Sequence, residues 1–545
     1  MMKGKLYCLL ALLLVNVTAF AQSSLYVVSF TDKPNYHAEN PIDFLSQRTM
    51  EKKNRLQIAV GYEDAPVYAM YIDSVLTEPV TYKTHSKWFN YVVVSMEDTI
   101  AQTISRWSFV RDVCLLRDYD MSSVLTEDDT VPDVPTLMVP DHYEYPTLTL
   151  DTLSYGSFYR QIGIHQGQYM HQENYRGQNM LIAILDGGYE HLDSMAFWQS
   201  WRDNQCVFTR NLTDEPNLYS GTSHGTTVLS IMASNDMYQC IGTAPEADYA
   251  IIKTEVCDYE EYIEEFFLVR GLEIADSMGA DVVNISLGYT EFDTEADNHD
   301  TAYLDGLHYV SSVAVSKATR KGSIVCVAAG NSGDNDWHYI GSPCDGRDGI
   351  TVAAVDSAGN VADFSSRGGL QSAGDKPNVA AIGYHTYYYG SNDSIVQGNG
   401  TSLATPIITG LTTCLWQAYP EKTPLQIRQA IMMSCSNYPY YDSLSGYGIP
   451  DFWKAFSILK VNDLSCQNVE NIGLHVYPNP CQDQLTIETQ EDVSMSLYDI
   501  SGKLHLQKSL KQGVNSVYIK DLPKGEYIIQ FNSQKGIVFN KMLKN

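Results

Sequence analysis

The chain has 545 residues, long enough for several domains. Its 36 Lys and Arg stand against 65 Asp and Glu, a formal net charge of −29. So acidic a chain is a poor partner for nucleic acid or anionic lipid, because phosphate affinity needs clustered cations. A hydrophobic content of 44% argues against a disordered chain. There is no Gly-X-Y period, no sustained heptad and only one long apolar run, which excludes collagen, coiled-coil and multi-span membrane classes.

That run is N-terminal. Lys3 and Lys5 precede the apolar stretch 6–15, and Ala19-Phe-Ala21 follows, the pattern of a cleavable secretory signal over residues 1–21. The stretch is short for a bilayer span, which takes about 20 residues. The expectation is an exported mature chain that begins at Gln22 and has no transmembrane span; a short anchor is the alternative. Removing Cys8 leaves ten cysteines. Export permits disulfides, but the pairing is not legible; Cys326 and Cys414 lie in apolar runs and read as buried thiols.

Residues 22–117 read as a small α+β unit. Strands are expected over 24–30 and 88–95, a helix over 40–56 opened by Pro41, and another near 100–107. Residues 118–153 form an acidic linker: 118–151 hold nine acids, four prolines and no Lys or Arg. An ordered arm across the next domain is the alternative.

From 154 to 460 the pattern is α/β. The runs 180–185, 280–286 and 322–329 are almost continuously apolar, as strands of a parallel sheet covered on both faces must be. Helical patterns lie between them, over 228–233, 262–277 and 302–320. After a linker over 461–471, residues 472–545 alternate in short segments separated by Gly turns and read as a β-sandwich.

Four polar residues bracketed by glycines stand at strand ends or helix starts. Asp186 follows the strand 181–185 and faces the crevice where parallel sheets bind ligands. His224 lies in or just before the first turn of a helix. Asn331 ends the third strand. Ser402 begins a helix, which would expose its hydroxyl and point its N–H away as an unpaired first-turn donor. Pro406 falls near that helix start, where a missing N–H costs less. Taken singly, each of the four would be read as a cap or a turn former. Together, in long motifs and in the chain order Asp, His, Ser, they form a nucleophilic constellation.

The sequence resembles the subtilisin-like serine proteases (subtilases, peptidase family S8). The resemblance rests on Ile184-Leu-Asp-Gly-Gly188, Ser223-His-Gly-Thr-Thr227, Ala328-Ala-Gly-Asn-Ser332 and Gly400-Thr-Ser-Leu-Ala-Thr-Pro406. Val283-Asn-Ile-Ser-Leu-Gly288, Ala362-Asp-Phe-Ser-Ser-Arg-Gly368 and Gly446-Tyr-Gly-Ile-Pro450 add to it. It implies an α/β, three-layer αβα domain with a parallel sheet, and a secreted or surface-attached serine endopeptidase. Its triad would be Asp186, His224 and Ser402, its oxyanion donor Asn331, and its substrate-pairing segment Ser286, Leu287 and Gly288. Two departures stand out. Asp186 is followed by Gly-Gly where a hydroxyl residue and Gly are usual, and Ser366-Arg-Gly-Gly369 replaces Ser-x-x-Gly-Pro. Asp193 is a rival acid, but it lies beyond the strand end.

Residues 22–117, through 44–48 and 86–90, resemble the propeptide of subtilases exported by Bacteroidetes-type bacteria. That implies a folding aid and temporary inhibitor; a permanent accessory domain is the alternative. Val476-Tyr-Pro-Asn-Pro480, 497–502, 522–527 and the basic end 541–544 resemble the C-terminal sorting domain of the type IX secretion system. The expected partners are polypeptide substrates, the chain's own propeptide and that secretion machinery, with no nucleic acid.

No cofactor is expected to be required. Many subtilases bind Ca²⁺, but the acidic loops 334–336 and 345–348 do not define an oxygen cage by spacing alone. A surface binding protein on an inactive subtilase scaffold is the competing reading. An α/β-hydrolase esterase is disfavoured by the missing Gly-x-Ser-x-Gly elbow and by the triad order.

Overall fold

A computed structural model describes residues 23–36, 40–123, 137–140, 143–369, 374–390, 392, 394–466, 474–499, 503–533 and 536–544. The signal-like segment and much of the acidic linker lie outside these residues. Two compact units divide the chain: residues 1–39 with 65–119, and residues 40–64 with 120–545.

In the first unit, strands β1 (Ser24–Phe30), β2 (Thr81–Ser86), β3 (Tyr91–Met96) and β4 (Val110–Leu115) form an antiparallel sheet in the order β2-β3-β1-β4. Helices Ala69–Val75 and Asp98–Ile104 contribute Val75, Ala101 and Ile104 to a core with Val28, Val92 and Val94. The expectation of a strand starting at Trp88 is corrected, since 88–90 form the turn that leads into β3.

The second unit holds a seven-stranded sheet. Its members are β5 (Leu181–Asp186), β6 (Cys206–Asn211), β7 (Asp248–Lys253), β8 (Val282–Ile285), β9 (Ile324–Ala328), β10 (Ile350–Val355) and β11 (Val379–Ile382). The order is β11-β10-β9-β8-β5-β7-β6, and every pairing is parallel. Strand order reverses at β5, so Asp186 sits at the topological switch point.

The helices used below are α1 (Gln47–Arg55), α2 (His224–Ala233), α3 (Ile263–Met278), α4 (Val310–Arg320) and α5 (Thr401–Ala418). Ile182 and Ile184 of β5 share a core with Leu229 of α2 and Leu411 of α5. Leu185, on the alternate side of the pleat, packs on Gly271 of α3. The domain is therefore three-layered, helices on both faces of a parallel sheet. Near-complete burial of β5 and β8 to β11 explains their apolar runs.

Pro41 opens a short 3₁₀ turn, and α1 starts later with Ser46 as its N-cap, Oγ accepting from Thr49 N–H. Its docking surface is built of charge. Lys53 lies 3.4 Å from both Asp64 and Asp276, all three side chains 1% exposed. Lys52 Nζ donates to Ala280 O at 2.6 Å, and Arg48 pairs with Asp281. Of the acidic segment, Met138 exchanges two bonds with Asn462, and Glu144 O accepts from Trp453.

At the C-terminal end, strands β12 (His475–Tyr477), β13 (Gln484–Thr489) and β16 (Gly513–Tyr518) form one antiparallel sheet. Strands β14 (Val493–Asp499), β15 (Leu504–Leu510), β17 (Gly525–Ser533) and β18 (Gly536–Lys544) form the other, in the order β15-β14-β17-β18. Leu485 and Ile487 of one sheet and Leu497 and Phe531 of the other share a core, which makes a β-sandwich.

Candidate active site

Asp186 is fully buried at the end of β5. Its Oδ1 accepts from Gly187 N–H at 2.8 Å and lies 2.7 Å from His224 Nδ1. A buried carboxylate on Nδ1 selects the tautomer that leaves Nε2 as the free base. Burial disfavours the imidazolium, but the Asp186 charge and hydrogen bond outweigh it and raise the His224 pKa. Asp193 is exposed in the loop beyond the strand and is not this partner.

His224 is the first residue of α2, and Ser402 is the second of α5, which packs against α2. Gly400 precedes α5 at φ 153°, a conformation open to glycine. A Cβ placed on Gly400 would lie 2.9 Å from Ser402 Oγ and 3.8 Å from both Ser402 N and Asn331 Nδ2. The hydroxyl, the first-turn N–H and the amide thus surround one small space. Asn331 is aimed there because its Oδ1 accepts from Thr401 N–H at 2.9 Å and from Thr401 Oγ1 at 3.0 Å, which leaves the Nδ2 donors for the space.

Pro406 sits inside α5 rather than at its edge. Without an N–H it cannot bond Ser402 O, four residues back. Ser286 Oγ takes that place, donating to Ser402 O at 3.0 Å. Ser286 accepts in turn from Asn284 Nδ2 at 2.9 Å, and Asn284 Oδ1 accepts from Thr409 Oγ1. The hydroxyl of Ser286 therefore supports the helix start, while its segment lines the cleft.

That cleft has a volume of 130 Å³ and is walled by Ser286, Leu287, Gly288, Asn331, Cys344 and Ser402, among others. No Asp, Glu, Lys, Arg or His is among its described lining residues. Ser366 reaches the same cleft and accepts from Ser332 N–H at 2.9 Å. In the candidate metal loop 345–348 the acids have protein partners: Asp345 accepts from Gly306 N–H, and Asp348 pairs with Arg320.

Sequence reasoning missed three contributors. Thr401 orients the amide, Glu255 lies near the acid, and Tyr289 bonds to Glu255. Glu255 follows β7 much as Asp186 ends β5, an acid at the mouth of a parallel strand, which was the available signal.

The subtilase family model matches residues 177–448. The subtilisin of Bacillus pumilus is 30% identical over 265 residues, which are 48% of this chain and 86% of that protein. The chain belongs to the subtilase family. The membrane-bound transcription factor site-1 protease of Mus musculus is 28% identical over 313 residues, 54% of this subtilase. The match spans 26% of that relative's length. The fold is similar to that of the epidermin leader peptide processing serine protease of Staphylococcus aureus. There the TM-score is 0.52 at 16% identity, over 80% of this chain and 99% of that one. The S8 propeptide domain model of Bacteroidota matches residues 25–128, and the secretion system C-terminal sorting domain model matches 475–545. The sorting domain marks this subtilase for secretion or cell-surface attachment. Among the described residues no helix is long and apolar enough to cross a membrane.

Proposed function

We propose that the protein is a serine endopeptidase that works through an acyl-enzyme. The observation that carries this reading is the convergence of Ser402 Oγ, Ser402 N and Asn331 Nδ2 on the space above Gly400. A nucleophile and two donors around one point are what a tetrahedral intermediate needs. Ser402 Oγ attacks the scissile carbonyl carbon, and His224 Nε2 takes its proton. Asp186 stabilises the imidazolium. The oxyanion forms between Asn331 Nδ2–H and Ser402 N–H. His224 then protonates the leaving amine, and water, deprotonated by the same imidazole, releases the acyl group.

The segment 286–288, which lines the cleft, pairs through its backbone with an extended substrate in this reading. The small, uncharged cleft beside it favours an uncharged side chain at the cleaved residue, because a buried charge there would have no partner. Residues 25–128 act as an intramolecular inhibitor until they are cut away, and the sorting domain engages a type IX export machinery. No catalytic step requires a metal or cofactor in this reading.

The test is digestion of an unfolded protein mixture by wild type and by Ser402→Ala, with the product termini sequenced. The reading expects wild-type cuts after uncharged residues, and a variant that cuts nothing and keeps its N-terminal segment covalently attached. Equal turnover by Ser402→Ala would overturn it.

A further inference from the structure

Glu255 is the acidic side chain at this site that the proposed steps leave unused. Thr254 N–H donates to Asp186 O at 3.1 Å, so Glu255 is one residue away from a backbone bond to the acid. Its Oε1 accepts from Tyr289 OH at 2.7 Å and from Thr254 Oγ1 at 3.0 Å. Tyr289 is fully buried and directly follows Gly288 of the cleft wall. On its other side the stem of Glu255 lies against Gly187: a Cβ there would be 3.6 Å from Glu255 Cβ and 3.7 Å from Cγ. The space beside residue 187, where a hydroxyl side chain is usual, is therefore bordered by Glu255.

We propose that Glu255 is a positioning residue. Its carboxyl ties the turn that carries Asp186 to the segment that walls the cleft, with Tyr289 as the link. The inference rests on the peptidase reading above.

The groups around the carboxyl are Asp186 at the end of β5, His224 on α2, Cys257 and Glu260 on its own loop, Glu264 on α3, and Tyr289. Carboxylate oxygens of Glu255, Glu260 and Glu264 lie within 4.8 Å of one another. Burial holds the Glu255 carboxyl well above the ordinary carboxylate range; the Tyr289 hydrogen bond opposes this, and the Glu260 charge adds to it. That direction favours the neutral carboxyl, which spares the Asp186–His224 pair a second negative charge. The pair is sensitive to one, because Asp186 Oδ2 is buried and has no hydrogen-bond partner among the described residues. Ionisation of Glu255 at alkaline pH sets a second negative charge against Asp186.

The test measures kcat and KM against pH on a peptide ester for the processed enzyme and its Glu255→Gln, Glu255→Ala and Tyr289→Phe variants. Active sites are first titrated with a fluorophosphonate, so that each rate refers to a competent site and misfolding does not enter. Glu255→Ala is expected to lose about tenfold or more in kcat with little change in KM, as misplaced catalytic groups do. Tyr289→Phe moves the same way by less. Glu255→Gln keeps an acceptor for Tyr289 and cannot ionise, so it restores most of the rate and extends activity to higher pH. Wild-type kcat and an unchanged pH profile in Glu255→Ala would overturn the inference, as would a Gln variant as damaged as the Ala variant. A wild type that neither turns over nor reacts with the titrant would overturn the peptidase reading, and the positioning role with it.

Discussion

Ser286 Oγ donates to the carbonyl of Ser402 at 3.0 Å, in the place of the helical N–H that Pro406 lacks. A buried carbonyl at the start of α5 is satisfied in this way, and the cleft wall is fixed to the helix that carries the nucleophile. Ser286→Ala leaves that carbonyl and Asn284 short of a partner. The expected cost is about 1–3 kcal/mol of stability, the range for an orphaned buried polar group, with a fall in kcat larger than the rise in KM. Chemical denaturation and steady-state kinetics on one preparation check it.

Asn331 is fixed through its oxygen to Thr401 and offers its amide protons to the space above Gly400. Asn331→Ala is expected to lose about 100- to 1,000-fold in kcat at nearly constant KM, because the donor acts on charge that develops in the transition state. Thr401→Val should lose less in the same direction, since the backbone bond to Asn331 remains. A KM effect that dominates in Asn331→Ala would place the amide in ground-state binding instead.

The pH dependence follows from His224. Burial lowers its pKa, and the charge and hydrogen bond of Asp186 more than restore it, so the net direction is upward from 6.5. The base works in its neutral form, and activity should therefore fall on the acid side with a midpoint above that of an ordinary imidazole. Asp186→Asn should move the limb to lower pH and cut the plateau by about four orders of magnitude. A pH–rate profile of kcat/KM on titrated enzyme reads both.

The charge cluster under α1 makes a separate prediction. Lys53 stands between Asp64 and Asp276, all nearly fully buried. Lys53→Met leaves two carboxylates without the cation between them, at an expected cost of about 3–5 kcal/mol. It is measured by thermal unfolding in a Ser402→Ala background, where the N-terminal segment stays attached. Burial pushes the Asp64 carboxyl up, but Lys321 and Lys53 outweigh it and hold it down to about 2. A depressed carboxylate stabilises the fold above its unfolded value of 3.8. That share should be lost as pH falls from there towards 2.

Much of the site was legible in the sequence because its residues lie in short motifs at the ends of apolar runs. Asp186, His224, Asn331 and Ser402 stand where strand end, helix start and glycine spacing place them. What escaped was tertiary. Nothing local marks Lys52 and Lys53 as buried, and the carboxylates and carbonyls of 276–281, more than 220 positions away, are what make their burial possible. Glu255 and Tyr289 carry no local motif, since their bond joins the loops after β7 and β8, the two strands that flank β5 in the sheet. Strands β6, β7, β10 and β11 were not anticipated either; β6 is half exposed and polar at the sheet edge, and β11 is only four residues long.

The central claim is that Ser402 is the nucleophile and is activated by His224. The most direct measurement is reaction of the processed enzyme with a fluorophosphonate, followed by peptide mapping of the adduct. A single covalent adduct on Ser402, formed rapidly in wild type and suppressed in His224→Ala, is the expected result. An adduct on another residue, or labelling of Ser402 at the wild-type rate without His224, would contradict the claim.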